Sequence, residues 1–138
     1  MHKKFYIDTS IWRDYFEDRK DNIRPLGEFA FQFLKKCLKE KVTIIISNIV
    51  MKELKKYFSG QQVQTMLQEF SGIIVETKHT KKQEEEALNL LEKFRQQSHL
   101  ADIIHAIIAR DSKAILVSRD KHFAELNIIE TRLPEELL

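Results

Sequence analysis

Short apolar runs rich in β-branched residues alternate along this chain with longer stretches in which apolar positions recur every three or four residues. That is the pattern of strands alternating with amphipathic helices. Lys4–Ile7 reads as a strand that stops at the turn sequence Asp8-Thr9-Ser10. Ile11–Phe16 predicts a short helix, Glu17–Arg24 a polar loop closed by Pro25, and Leu26–Lys39 a helix with a continuous apolar stripe. Val42–Ile46 is β-branched almost throughout, as expected of a strand buried on both faces, and Ser47 or Asn48 is placed to cap the next helix. Ser59-Gly60 breaks that helix, Gln61–Phe70 resumes helically and Gly72 ends it. Ile73–Val75 reads as the third strand. Thr80–Arg95 reads as a helix with a charged outer face, Lys81–Glu86, and an inner face of Ala87, Leu88, Leu91 and Phe94. Leu100–Ala109 predicts a helix packed on much of its surface, Ala114–Val117 and Ile128–Ile129 the last two strands, and Leu133–Leu138 a tail. The expected fold class is therefore α/β with a parallel sheet. No internal repeat or interdomain linker interrupts it, so one domain spanning 1–138 is expected.

Composition narrows the class. With 138 residues, 43% hydrophobic, and only 3 Gly and 2 Pro, the chain suits a helix-rich globular protein with a core of ordinary size, not disorder or low complexity. No apolar run reaches membrane-spanning length and no charged-then-apolar leader opens the chain, so a cytoplasmic protein is expected. The single cysteine, Cys37, falls in register with Leu26, Phe29, Ala30, Phe33, Leu34 and Leu38 and reads as a small core residue. Net charge is only +2, but residues 1–58 hold 13 Lys+Arg against 8 Asp+Glu (+5), whereas residues 59–138 hold 10 against 13 (−3). The basic part includes Lys52, Lys55 and Lys56, which are placed either to meet a phosphate backbone or simply to solvate a helix face.

Four acids carry the candidate chemistry. Asp8 sits just past the end of the first strand, and Asp120, in Ser118-Arg119-Asp120, repeats that placement after the fourth. Glu53 lies in the second turn of its helix, three or four positions from Ile49, Val50 and Tyr57, and so borders the apolar face. Asp102 stands inside an apolar helix, where a lone charge is expensive and a cation is one remedy. Open parallel sheets form their sites outside the carboxyl ends of the strands, where strand order reverses, and these four positions fit that place. Carboxylates crowded there repel one another unless divalent cations hold them, and hard Mg²⁺ or Mn²⁺ prefers oxygen ligands. Such ions orient a water, lower its pKa and steady charge on a phosphate.

On these residues the chain resembles the PIN-domain ribonucleases and is similar to the VapC toxins of toxin-antitoxin pairs. The likeness rests on the opening strand with Asp8-Thr9-Ser10, the helix acid Glu53, the Ala-rich helix carrying Asp102 with Ala106 and Ala109, and Ser118-Arg119-Asp120 followed by His122-Phe123. It spans essentially the whole chain. It implies a three-layer sandwich with a central five-stranded parallel sheet, a Mg²⁺ or Mn²⁺ site formed by the acids, and endonucleolytic cleavage of RNA. It also implies an antitoxin partner and a homodimer. Where many family members carry a further Asp or Asn near the fourth acid, this chain has His122.

Other readings stand beside this one. Thr9, Ser10 and Ser118 either orient carboxylates and a metal-bound water or only cap turns. Arg13 and Arg119 are candidate phosphate contacts or ordinary exposed arginines. His99, Asp102 and His105 recur at helical spacing and raise a zinc site, although zinc usually wants four ligands and Cys37 lies far off, so His105 reads rather as packed beside the acidic cluster. His122 is a proton shuttle or a solvent-exposed loop residue. Trp12 and Tyr15 either stack on a base or serve as core or partner contacts. As whole functions, an aspartate-based phosphatase or receiver-type domain would use Asp8 as a phosphorylated nucleophile, though no acid follows two positions on. A non-catalytic module holding RNA or protein would keep the fold without tight metal affinity.

Overall fold

A computed structural model describes residues 2–94 and 99–138. Five strands, β1 (Lys4–Ile7), β2 (Thr43–Ser47), β3 (Ile74–Thr77), β4 (Ile115–Val117) and β5 (Thr131–Arg132), form one parallel sheet in the order β3-β2-β1-β4-β5. Strand order thus runs one way from β1 through β2 to β3 and the other way from β4 to β5, and it reverses between β1 and β4. Right-handed crossovers then send the two halves of the chain to opposite faces. One face carries α1 (Thr9–Glu17), α2 (Leu26–Glu40), α3 (Asn48–Leu54) and α4 (Gly60–Gln68), and the other α5 (Lys81–Phe94), α6 (Leu100–Asp111) and α7 (Lys121–Leu126). Contacts follow that division, with α1 against α2 and α3, and α6 against α5 and α7.

The central strands are buried because both of their faces are covered. Tyr6, Ile7, Ile44, Ile46, Leu116 and Val117 are wholly excluded from solvent. Phe5 meets Phe33 of α2 edge-on, and Trp12 of α1, fully buried, meets Phe70 the same way and stacks on Phe16. Trp12 is therefore a core residue with no face free for a base. Cys37 is buried in the same core, as its register predicts.

Three expectations are corrected. The last strand is not Ile128–Ile129 but Thr131–Arg132. Asn127 ends α7 in the left-handed conformation (φ 53°), and the two isoleucines then pack their side chains against the core. The sheet is joined only afterwards, where Glu130 accepts from the Leu116 amide and Arg132 from the Ser118 amide. Leu88 does not face inward: it is 49% exposed, because the buried stripe of α5 runs through Ala87, Leu90 and Leu91 and Leu88 lies beyond its edge. The C-terminal tail is ordered as a 3-10 turn, Pro134–Leu137, fastened to α2 by a hydrogen bond from Lys36 Nζ to the Leu137 carbonyl (2.9 Å). The Arg95 end of the predicted fifth helix, and the Phe94 side chain, lie outside the described residues.

Candidate metal and catalytic site

Each acid is delivered by a chain feature already legible in the sequence. Asp8 and Asp120 are the N-caps of α1 and α7, so both leave a strand end and begin a helix. Because β1 and β4 are neighbours at the reversal of strand order, the two caps fall on either side of it. Glu53 comes from the last turn of α3 and Asp102 from the first turn of α6, one helix from each face of the sheet.

The structure arranges the acids as two adjoining groups. Ligand atoms of Asp8, Glu53 and His105 all lie within 4.8 Å of one another, and so do those of Asp102, Asp120 and His122. Ser118 joins the groups: its Oγ donates to Asp8 Oδ2 (2.9 Å) and accepts from the Asp120 amide (3.0 Å). Asp8 is further held by the Thr9 amide on Oδ1 and by Ser10 Oγ on Oδ2, both at 2.9 Å. Glu53 Oε1 accepts from Thr9 Oγ1 (2.6 Å) and pairs with His105 Nε2 (2.9 Å). Thr9, Ser10 and Ser118 thus all contact the acids.

Electrostatics reflect the crowding. Burial pushes the Asp8 carboxyl above its ordinary range, against the pull of His105 and the two serine hydroxyls. Asp102 is raised by burial and by the neighbouring Asp120 carboxylate. Glu53 goes the other way. Burial alone would raise it, but the His105 and Thr9 hydrogen bonds outweigh that and hold it low. His105, itself buried, is held above its ordinary value by Glu53 despite the desolvation that opposes its charge. Among the described residues, no lysine or arginine forms an ion pair with any of the four acids. The donor set is dominated by carboxylate oxygens, which fits a hard divalent cation such as Mg²⁺ or Mn²⁺. The zinc grouping does not assemble: Asp102 lies with Asp120 and His122, while His105 faces Glu53 and the Tyr6 hydroxyl.

The basic side chains divide between two hollows. Lys56 and Arg13, with Tyr57, line one of about 230 Å³ that opens onto Asp8, Thr9, Ser10 and Glu53. Arg13 Cζ stands over the Tyr57 ring, 3.6 Å from its centroid, and the guanidinium pairs with Glu17. Lys52 and Lys55 line a separate hollow of about 570 Å³ at the ends of β2 and β3, together with Lys78 and Glu76. Arg119 is turned inward, with a two-pronged pair to Glu135 (2.7 and 2.8 Å) and its Nε 3.5 Å from the buried Asp14. It belongs to the scaffold.

Tyr6 was not singled out by sequence, and Ser47 only as the cap of α3 that it proves to be, yet both complete the site from beneath. Tyr6 Oη bonds to both Ser47 Oγ and His105 Nδ1. Strand alternation was the available signal: with Phe5 directed at α2, Tyr6 must point to the opposite face, where α6 lies.

Residues 5–129 match the PIN domain family, and the chain belongs to it. No curated protein sequence is significantly similar to the chain. Solved structures are similar in fold. VapBC2 from Rickettsia felis bound to a promoter DNA fragment superposes with a TM-score of 0.69 at 20% identity, covering 94% of this chain and 98% of that one. FitAcB from Neisseria gonorrhoeae gives 0.66 at 16%, covering 94% and 97%. VapC20 from Mycobacterium tuberculosis, a sarcin-ricin-loop-cleaving toxin, gives 0.65 at 18%, covering 91% and 97%.

Proposed function

We propose that this PIN domain is a Mg²⁺- or Mn²⁺-dependent endoribonuclease. The single observation that carries the reading is the set of four carboxylates at the reversal of strand order, with Asp8 and Asp102 raised chiefly by burial and none of the four paired with any described lysine or arginine. Asp8, Glu53, Asp102 and Asp120 would hold the cation, which supplies an activated water and stabilises charge on the scissile phosphate. Thr9 fixes Glu53, and Ser10 and Ser118 fix Asp8, so these carboxylates are oriented before substrate arrives. Lys56 and Arg13 line the hollow that opens onto Asp8 and are placed to meet the RNA backbone there, while Lys52 and Lys55 extend the positive surface beyond it.

An Asp8-phosphorylating enzyme is less well supported. Position 10 offers a serine in place of a second acid, and both Asp8 oxygens already accept hydrogen bonds, which blunts a nucleophile. Likeness in fold to VapBC2 and to the VapC20 toxin supports a toxin role with an antitoxin as partner, and a homodimer working in the cytoplasm belongs to the same proposal. The test is cleavage of structured and unstructured RNAs by the purified chain, with and without Mn²⁺. Activity is expected only with metal and is abolished by Asp8→Asn. Cleavage by that variant at the unmutated rate overturns the proposal.

A further inference from the structure

His105 is only 1% exposed, and both of its ring nitrogens are engaged. Nε2 meets Glu53 Oε1 at 2.9 Å, and Nδ1 meets the hydroxyl of Tyr6, which is itself wholly buried. Tyr6 is fixed in turn by Ser47 Oγ at 2.6 Å, and Ser47 caps α3 by accepting from the Val50 amide. The chain of contacts therefore starts at the N-terminus of α3 and returns to Glu53 at that helix's other end, passing through β1 and α6. A buried side chain held at both ends in this way cannot rotate without leaving buried polar atoms unpaired, which is costly.

Glu53 needs such a hold. Its carboxylate faces Asp8 across the site, and that like charge favours its swinging away toward solvent, since Glu53 is only partly buried. Thr9 supplies one donor to Oε1, but Thr9 sits beside Asp8 on the same short segment. His105 is the donor contributed from the opposite face of the sheet, so it fixes Glu53 relative to α6, the helix that carries Asp102.

We infer that His105, braced by Tyr6 and Ser47, is a positioning residue that holds the Glu53 carboxylate in the metal-binding arrangement. This rests on the proposed metal-dependent nuclease function. Two substitutions of similar size separate positioning from simple core filling. In His105→Gln the side-chain amide reaches about as far as Nε2 and still donates to Glu53. In His105→Asn it ends near the place of Nδ1, keeping a partner for Tyr6 and abandoning Glu53.

The experiment measures Mn²⁺ affinity by calorimetry, kcat and KM on RNA, and melting temperature, for the full chain and both variants. His105→Asn is expected to lose about 10–100-fold in Mn²⁺ affinity and kcat, with KM for RNA unchanged, while His105→Gln keeps most of both. A crystal structure of His105→Asn is expected to find Glu53 turned away from Thr9. Equal losses in the two variants, or Glu53 unmoved in His105→Asn, overturn the positioning role. Failure of the nuclease reading looks different: the unmutated chain and Asp8→Asn would then bind Mn²⁺ alike, while the position of Glu53 in the crystal would still report on His105.

Discussion

Ser118 and Asp8, separated by 110 residues, are joined by a hydrogen bond of 2.9 Å that ties the end of β4 to the end of β1 across the point where strand order reverses. The same serine oxygen accepts from the Asp120 amide, so one hydroxyl sets the spacing of two of the four acids. Removing it in Ser118→Ala leaves Asp8 with Ser10 and the Thr9 amide, enough to keep the carboxylate nearby but not to fix its tilt. Mn²⁺ affinity and RNA cleavage are expected to fall about 10–100-fold with little change in melting temperature. An alanine variant as active as the parent would show that the bond is only a turn cap.

Asp8→Asn separates stability from function. The carboxyl is raised by burial, so its ionised form opposes folding at neutral pH. Asparagine keeps an oxygen to accept from the Thr9 amide and sets its amide nitrogen against the Ser10 and Ser118 hydroxyls, which turn to accept from it, and so preserves the start of α1. Metal-free Asp8→Asn is expected to melt a few degrees above the parent, as a gain of about 1 kcal/mol would produce, while losing cleavage. Calorimetric melting in the presence of a chelator checks the first half. A lower melting temperature would mean that the charge itself holds the fold together.

The positions of the acids were legible in the sequence because they depend on local features: a strand's end, a helix's first turn, the border of an apolar stripe. Asp8, Asp120 and Asp102 needed only the alternation of elements and the rule for where parallel sheets open. Their division into two groups was not legible, since it depends on which side chain reaches which neighbour across 40 to 110 residues. His105 looked like a packed neighbour of the acids, and its bond to Glu53 depends on the turn of α6 against the sheet. Ile128 and Ile129 misled because apolarity reports burial, whereas a strand needs a free edge to pair with, and Thr131–Arg132 had that edge. Buried Asp14 escaped for the converse reason: an acid on a helix reads as surface until its arginine partners, one of them more than a hundred residues away, are known.

Glu53 and His105 make stability depend on pH with a definite sign. His105 is raised above 6.5: burial opposes its charge, but the Glu53 contact outweighs that. A raised histidine contributes stability below pH 6.5 and loses it as pH climbs through its folded value. Glu53, lowered from 4.5, contributes above that value and loses its share as pH falls through the folded one. The pair therefore acts fully in weakly acidic solution. Asp8 and Asp102, both raised, oppose folding increasingly as they ionise, so the metal-free protein is expected to be most thermostable at weakly acidic pH and less so toward alkaline pH. Mn²⁺ should recover the loss at the alkaline side most strongly. Melting curves across pH, with and without Mn²⁺, would count against this if the metal-free profile were flat.

Asp14 and Arg119 define a structural pair that substitution should expose as such. Asp14 is 1% exposed, accepts from Arg19 Nε at 2.8 Å and lies 3.5 Å from Arg119 Nε, while Arg119 continues to Glu135 in the C-terminal turn. Removing Asp14 leaves Arg119 its pair with Glu135 but takes from the half-exposed Arg19 its partner and from the buried site its charged hydrogen bond, at a cost of about 1–3 kcal/mol. Asp14→Ala is expected to lower stability by that order, measured by urea unfolding. Its residual folded fraction should still cleave RNA at the parental rate per active site, since neither residue touches the acids. A loss of cleavage without a loss of stability would place Arg119 on the substrate instead.

Gly27 and Gly60 offer a paired test of close packing at helix starts. Both open helices on the α1 face, but a Cβ on Gly27 would meet the Asp18 Cα at 2.6 Å and the Asp14 carbonyl at 2.8 Å, whereas a Cβ on Gly60 would meet nothing within 4 Å. The tightness at Gly27 arises because its amide donates to the Arg19 carbonyl at 2.8 Å, drawing the start of α2 against the end of α1, where Asp18 already adopts the left-handed conformation (φ 48°). Those neighbours are backbone atoms, so they cannot rotate away. Gly27→Ala must separate the two helices and is expected to cost about 1–3 kcal/mol. Gly60→Ala lies in open space in helical backbone and should be neutral or gain about 0.4–1 kcal/mol by restricting the unfolded chain. Urea unfolding of the two variants side by side decides it, and equal stabilities would show that α1 and α2 can part at no cost.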